Sequence, residues 1–154
     1  MTRLIVIADA SSLIALDNIN EIDTLPQMYP VVTVTPEVAE EYGSALPHWI
    51  QISEASDFSK SRFEISRLDA GEASSIALAL DSTDPLLIID EKKGRRVAEQ
   101  LGIDIIGIVG ILIKARHAGL IREPSTLLDR LESVDFRLSS PLRARLIGLE
   151  DHTH

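Results

Sequence analysis

Acidic side chains recur at four places along this chain where they are able to act together: Asp9, then Glu40 and Glu41, then Asp69 and Glu72, then Asp90. Carboxylates held within a few ångströms of one another repel, and such a group stays ionised only when a cation neutralises it. Oxygen donors of this kind suit Mg2+ or Mn2+ rather than zinc. There is no cysteine, which excludes thiolate metal sites and a disulfide framework. His48 and His117 have no paired acid or histidine at ligand spacing, and His152 and His154 fall in a short tail, so imidazole ligands are not expected. Each acid also has a plainer use. Asp9, Asp69 and Asp90 are all favoured N-cap residues, Glu72 is the natural third member of a capping box, and Glu40 or Glu41 fits a solvated helix face. A cap explains one helix at a time. It does not explain why acids recur in the same relation to the elements around them.

Those elements follow from the apolar pattern. Leu4-Ile5-Val6-Ile7-Ala8 and Leu86-Leu87-Ile88-Ile89 are wholly apolar runs of strand length, as expected for strands covered on both faces. Each ends in an aspartate, Asp9 or Asp90. Residues 31–34 are β-branched and predict another strand, 103–106 a further buried one, and 49–52 an edge strand. Between them, Thr35-Pro36 opens a helix that Gly43 ends, Asp69 caps a helix carrying Ala73, Ile76, Ala77 and Leu80, and a helix runs from 91 to Leu101. The pattern over 57–66 predicts one helix, and helices are expected after Gly110, around Leu127 to Val134 and after Pro141. Alternating strands and helices predict an α/β, doubly wound, three-layer fold with a central parallel sheet of four to five strands. Parallel packing would bring the carboxyl ends of the strands to one edge, where open α/β sheets bind ligands.

At 154 residues and 45% hydrophobic the chain suits one domain, expected over 1–150, with 151–154 as a loose tail. Aromatic residues are only 4%, so the core must be built from Ile, Leu, Val and Ala. Residues 1–3 are too short for a signal peptide, and no run reaches the roughly 18 to 20 apolar residues of a membrane span, so a cytoplasmic location is expected. The net charge of −9 argues against broad attraction to nucleic acid. It does not exclude a nucleic-acid substrate whose approach is aided by bound cations.

The run Asp9-Ala10-Ser11-Ser12-Leu13-Ile14 resembles the opening motif of PIN domains, the metal-dependent nuclease fold that includes VapC-like ribonuclease toxins. Thr35 to Glu41, Leu68 to Ala73 and Ile88 to Arg95 resemble that family's later acidic motifs, in the same order. The likeness spans essentially the whole chain and is nearest to an uncharacterised PIN-like subgroup with a Gly-Glu pair at the third motif. Two positions depart from the common pattern: Ser12 stands where Pro is frequent, and Ile88 where Thr is frequent. The resemblance implies that Asp9, Glu41, Glu72 and Asp90 are both the catalytic and the metal-binding acids, with Ser11 supporting them. It implies Mg2+ or Mn2+ as cofactor, RNA as substrate, and products with 5′-phosphate and 3′-hydroxyl ends.

Lys92, Lys93, Arg95 and Arg96 follow Asp90 directly and would bind the substrate backbone beside the metals, unless they form only a solvated first turn. A small antitoxin protein and a homodimer are the partners that the resemblance implies. Leu127, Leu131, Leu146 and Leu149 are candidates for self-association, or else core. The alternative function is a PIN-like module that binds nucleic acid or protein without cutting. A phosphate-accepting receiver would want an acidic pair after the first strand, an aspartyl phosphotransferase would want an acid in place of Ser11, and a dinucleotide fold would want a Gly-rich first turn.

Overall fold

The computed structural model describes residues 5–121 and 124–133. In chain order the elements are β1 (Ile5–Ala8), α1 (Ala10–Asn18), α2 (Thr24–Met28), β2 (Val32–Val34), α3 (Pro36–Tyr42), β3 (Ile50–Ile52), α4 (Asp57–Lys60), α5 (Phe63–Ser66), α6 (Ala70–Leu80), β4 (Pro85–Ile88), α7 (Lys92–Gln100), β5 (Asp104–Ile106), α8 (Ile108–His117) and α9 (Pro124–Ser133). The strands form one parallel sheet in the order β3-β2-β1-β4-β5. The chain therefore winds outward from β1 to β3, then restarts on the other side of β1 with β4 and β5. β1 and β4 are neighbours at the point of reversal, with Ala8 opposite Ile88.

Side chains alternate across the sheet and divide the core in two. Val6, Ala8, Leu86 and Ile88 face a layer that includes Leu13 and Leu16 of α1 and Ile111 and Leu112 of α8. Ile7, Leu87 and Ile89 face the opposite layer, built on Ile65, Ile76, Ala77 and Ala98. With both faces covered, the central strands need no polar alternation, which is why they read as unbroken apolar runs. Burial of each such Leu or Ile side chain stabilises the fold by about 1.5–3 kcal/mol.

Local signals set the helix boundaries. The Thr35 hydroxyl accepts from the Val38 amide at 3.2 Å, Pro36 starts α3, and Gly43 closes it at φ +73°. Thr35 and Ser74 share a buried hydroxyl–hydroxyl bond of 2.7 Å that ties α3 to α6. Asp69 caps α6 by accepting from the Glu72 amide at 2.9 Å.

Three expectations are corrected, and one open alternative is decided. Residues 57–66 form two short helices, not one, because Arg62 turns extended (ψ 137°) after the Ser61 stop; Phe58 and Phe63 are left exposed. The last strand is not buried: β5 has a neighbour on one side only, Asp104 is exposed, and Ile105 and Ile106 are half-buried. Residues 108–110 are the first turn of α8 rather than a loop before it. Leu127 and Leu131 are core residues, 1% and 0% exposed, because α9 lies against the first layer, where Arg130 donates to the Ile19 carbonyl at 3.2 Å. Leu146, Leu149 and the helix expected after Pro141 lie outside the described residues. Truncation of Leu131 to Ala should cost about 2–5 kcal/mol in urea unfolding and leave the sedimentation coefficient unchanged. An altered oligomeric state with unchanged stability would instead make Leu131 an interface residue.

Candidate active site

Asp9 follows the last residue of β1, and its amide donates to the Ile88 carbonyl of β4 at 3.2 Å. Asp90 follows β4 by two residues, so both aspartates stand at the carboxyl edge of adjacent central strands, beside the crevice where the winding reverses. Asp9 is only 3% exposed. Its Oδ1 accepts from the Ser12 amide at 2.9 Å and so caps α1, while Oδ2 accepts from the Ser11 hydroxyl at 3.3 Å. Asp90 divides its oxygens in the same manner. Oδ2 accepts from the Ile108 amide at 2.9 Å, at the start of α8, and Oδ1 faces Arg95 Nη1 at 3.7 Å. Asp90 was a candidate cap for the helix that follows it; that helix, α7, is capped instead by Glu91, which accepts from the Gly94 amide at 2.7 Å. Burial pushes the Asp9 carboxyl up, with the charge of Asp90 adding to the rise. Burial also pushes Asp90 up, against the pull of the Ile108 amide and Arg95.

A second set of acids comes from α3, α6 and α7. Glu41, on the last turn of α3, receives a hydrogen bond from the Gly71 amide, and desolvation and the Asp69 charge push its carboxyl up. Glu40 is also exposed to solvent. Glu72 is pushed up to about 8, first by desolvation and then by the Asp69 and Glu91 carboxylates, to which a protonated Glu72 can donate. Charge thus couples Asp9 with Asp90, and Glu41 and Glu72 each with Asp69. Among the described residues, no three acidic or histidine side chains make a single group able to enclose a metal ion. The four acids are not a ready-built cage. Their chemistry nonetheless fits a hard divalent cation: all donors are oxygen, and all four carboxyls are raised, first by desolvation, with like charge adding at Asp9, Glu41 and Glu72.

The family model that describes a PIN domain matches residues 5–151. The chain belongs to the PIN-domain family. No curated protein and no solved structure matches it. PIN domains are generally nucleases and typically use divalent metals, so the coarse reading is a nuclease-type hydrolase fold. Among the described residues no helix is long and apolar enough to cross a membrane.

In this PIN domain the basic run after Asp90 does not act as one strip. Arg95 turns inward to Asp90 and donates to the Ile89 carbonyl at 3.3 Å. Lys93 donates to the Arg67 carbonyl at 2.9 Å, and Arg96 lies with it over α5, on another side of α7. Lys92 is exposed, as are His48 and His117. His152 and His154 lie outside the described residues.

Three glycines sit directly against the acids, of which Gly71 is half of the Gly-Glu pair at the third motif. A methyl group at Gly71 would stand 2.9 Å from the Glu41 carboxyl carbon. At Gly94 it would meet Ile89 Cδ1 at 2.6 Å and Glu72 Oε2 at 3.0 Å, and at Gly107 Asp90 Oδ1 at 2.5 Å and Arg95 Nη1 at 2.7 Å. The signal available in the sequence was a glycine inside an otherwise continuous helix, as at Gly94, which commonly marks close packing.

Two outcomes follow from this geometry. Gly94→Ala would ordinarily stabilise a helix interior by about 1 kcal/mol. Here overpacking against Ile89 and Glu72 should reverse the sign and cost about 1–3 kcal/mol in chemical denaturation. A stabilised Gly94→Ala protein would mean that the contact is loose. The second outcome concerns pH. Glu72 binds its proton more tightly folded than unfolded, so its contribution to stability is full below the ordinary 4.5 and is lost as pH rises through about 8. In chelator, the melting temperature of wild type should fall across that window relative to Glu72→Gln. Parallel pH profiles for the two proteins would contradict the raised carboxyl.

Proposed function

We propose that this chain is an Mg2+- or Mn2+-dependent endoribonuclease that hydrolyses RNA phosphodiester bonds, with a single domain over 1–150 carrying the activity. The observation that supports this most is the arrangement of Asp9 and Asp90 in a PIN domain. Both sit at the strand-end crevice, and each commits one oxygen to a helix amide while the other is held by Ser11 or faces Arg95. Asp9 and Asp90 would hold the cation, with Glu41 and Glu72 contributing from the α3 and α6 side. When bound, a divalent ion supplies a lowered water pKa and neutralises charge on the leaving oxygen.

The chain's own groups then have distinct tasks. Ser11 fixes the second oxygen of Asp9, so that the carboxylate does not rotate away from the crevice. Arg95 balances Asp90 while the crevice lacks substrate, and can turn toward a phosphate as the cation takes its place. Glu72 faces the Asp69 and Glu91 carboxylates, and a bound cation would offset the repulsion that keeps its carboxyl protonated. The products would carry 5′-phosphate and 3′-hydroxyl ends. By family resemblance alone, the proposal extends to a cytoplasmic VapC-like toxin that forms a homodimer and is neutralised by a small antitoxin protein. A second reading is a PIN-like module that binds nucleic acid or protein without cutting; carboxylates at all four motif positions weigh against it.

The test is cleavage of structured and single-stranded RNAs by wild type, Asp9→Asn and Asp90→Asn in Mg2+, in Mn2+ and in excess chelator. Cleavage by wild type alone, abolished in chelator, is the expected result. Inert wild type that still binds Mn2+ by electron paramagnetic resonance would favour the binding module.

A further inference from the structure

Phe63, 72% exposed, begins α5 in a chain whose aromatic content is only 4%. The ring lines a groove between α5 and α7, together with Glu64, Arg67, Lys93, Arg96 and Val97. On α7, positions 93, 96 and 97 fall on one helical stripe. The buried residues Gly94 and Ala98 form the inner face of the same helix. The Arg67 guanidinium lies over the Phe63 ring, 5.7 Å from its centroid. Lys93 donates one hydrogen bond to the Arg67 carbonyl, which holds its ammonium at the groove and leaves two donors for a ligand. Three cations thus face one acid, Glu64, on a protein of net charge −9.

We propose that the α5–α7 groove is a binding track for single-stranded RNA that leads into the acidic crevice, with Phe63 as the base-stacking platform and Arg67, Lys93 and Arg96 as phosphate contacts. Three observations carry this. The track adjoins the crevice, because α7 begins two residues after Asp90 and Gly94 packs against Glu72. An exposed ring beside a guanidinium offers an unpaired base a stacking surface, whereas a duplex keeps its base faces inside. The local positive charge gives a polyanion a path across an otherwise repulsive surface. The proposal rests on the nuclease reading for its choice of ligand, but binding can be measured without chemistry.

The experiment is fluorescence anisotropy with labelled 12-nucleotide oligo(U) and oligo(A), and with the corresponding duplex, in excess chelator. Full-length wild type is compared with Phe63→Ala, Phe63→Trp and the double variant Arg67→Ala/Arg96→Ala, and each protein is also assayed for cleavage in Mg2+ and Mn2+. Phe63→Ala should weaken single-strand binding by about 5- to 150-fold and Phe63→Trp should restore it. The double variant should reduce the slope of log affinity against log salt by about 1.4. Single-strand binding that none of these substitutions changes would overturn the track, even with cleavage intact. Equal preference for duplex, or full displacement of RNA by an oligoglutamate peptide of the same length, would also overturn it, the latter in favour of an acidic protein segment. Impaired binding in the variants with no cleavage by wild type would uphold the track and count against the nuclease reading alone.

Discussion

Two carboxylates at the ends of adjacent central strands constrain everything else in this fold. Asp9 and Asp90 stand just past the ends of β1 and β4, and both lie where burial disfavours their charge. The fold meets this cost locally by giving each carboxylate a helix amide, Ser12 for Asp9 and Ile108 for Asp90. An anion at a helix N-terminus is favourable, because unpaired amides and the helix dipole both point at it. The reversal of winding between β1 and β4 matters for the same reason. It sends α1 and α7 away from the strand ends in different directions, so the aspartates border a crevice.

Much of this was legible from residue order. The runs ending in Asp9 and Asp90 are the two middle strands, β1 and β4, each flanked on both sides and covered on both faces, and their unbroken apolar character follows from that position. The Thr35-Pro36 start, the Gly43 stop and the Asp69 cap are local devices, and they formed where short-range chemistry placed them. What was not legible depends on partners distant in sequence. Asp90 holds the start of α8, eighteen residues on, rather than the helix it precedes. Leu127 and Leu131 are buried because of where α9 docks, which no feature of 124–133 dictates. β5 looks like a central strand until its single neighbour is known.

The choice between cap and site for each acid was also less sharp than residue types suggested. A carboxylate has two oxygens, and Asp9 and Asp90 use one for the helix while the other is turned to a side chain. The basic run divides on simpler grounds. Successive residues of a helix are turned by about 100°, so Arg95 faces inward while Lys93 and Arg96 face α5. Gly94 and Ala98, both buried, form the inner face.

The close approach of Gly94 and Gly107 to Glu72 and Asp90 has an entropic consequence. A free glutamate side chain gives up as much as about 1.5–2 kcal/mol of rotamer freedom when it is fixed. Where backbone closes directly on the carboxylate, that freedom is surrendered as the chain folds, before any ligand arrives. On the reading proposed above, the acids would meet a cation as partly rigid groups, with less of the binding energy lost to ordering them. Selection at these glycine positions would act on the readiness of their neighbours, although the glycines themselves carry no reactive atom.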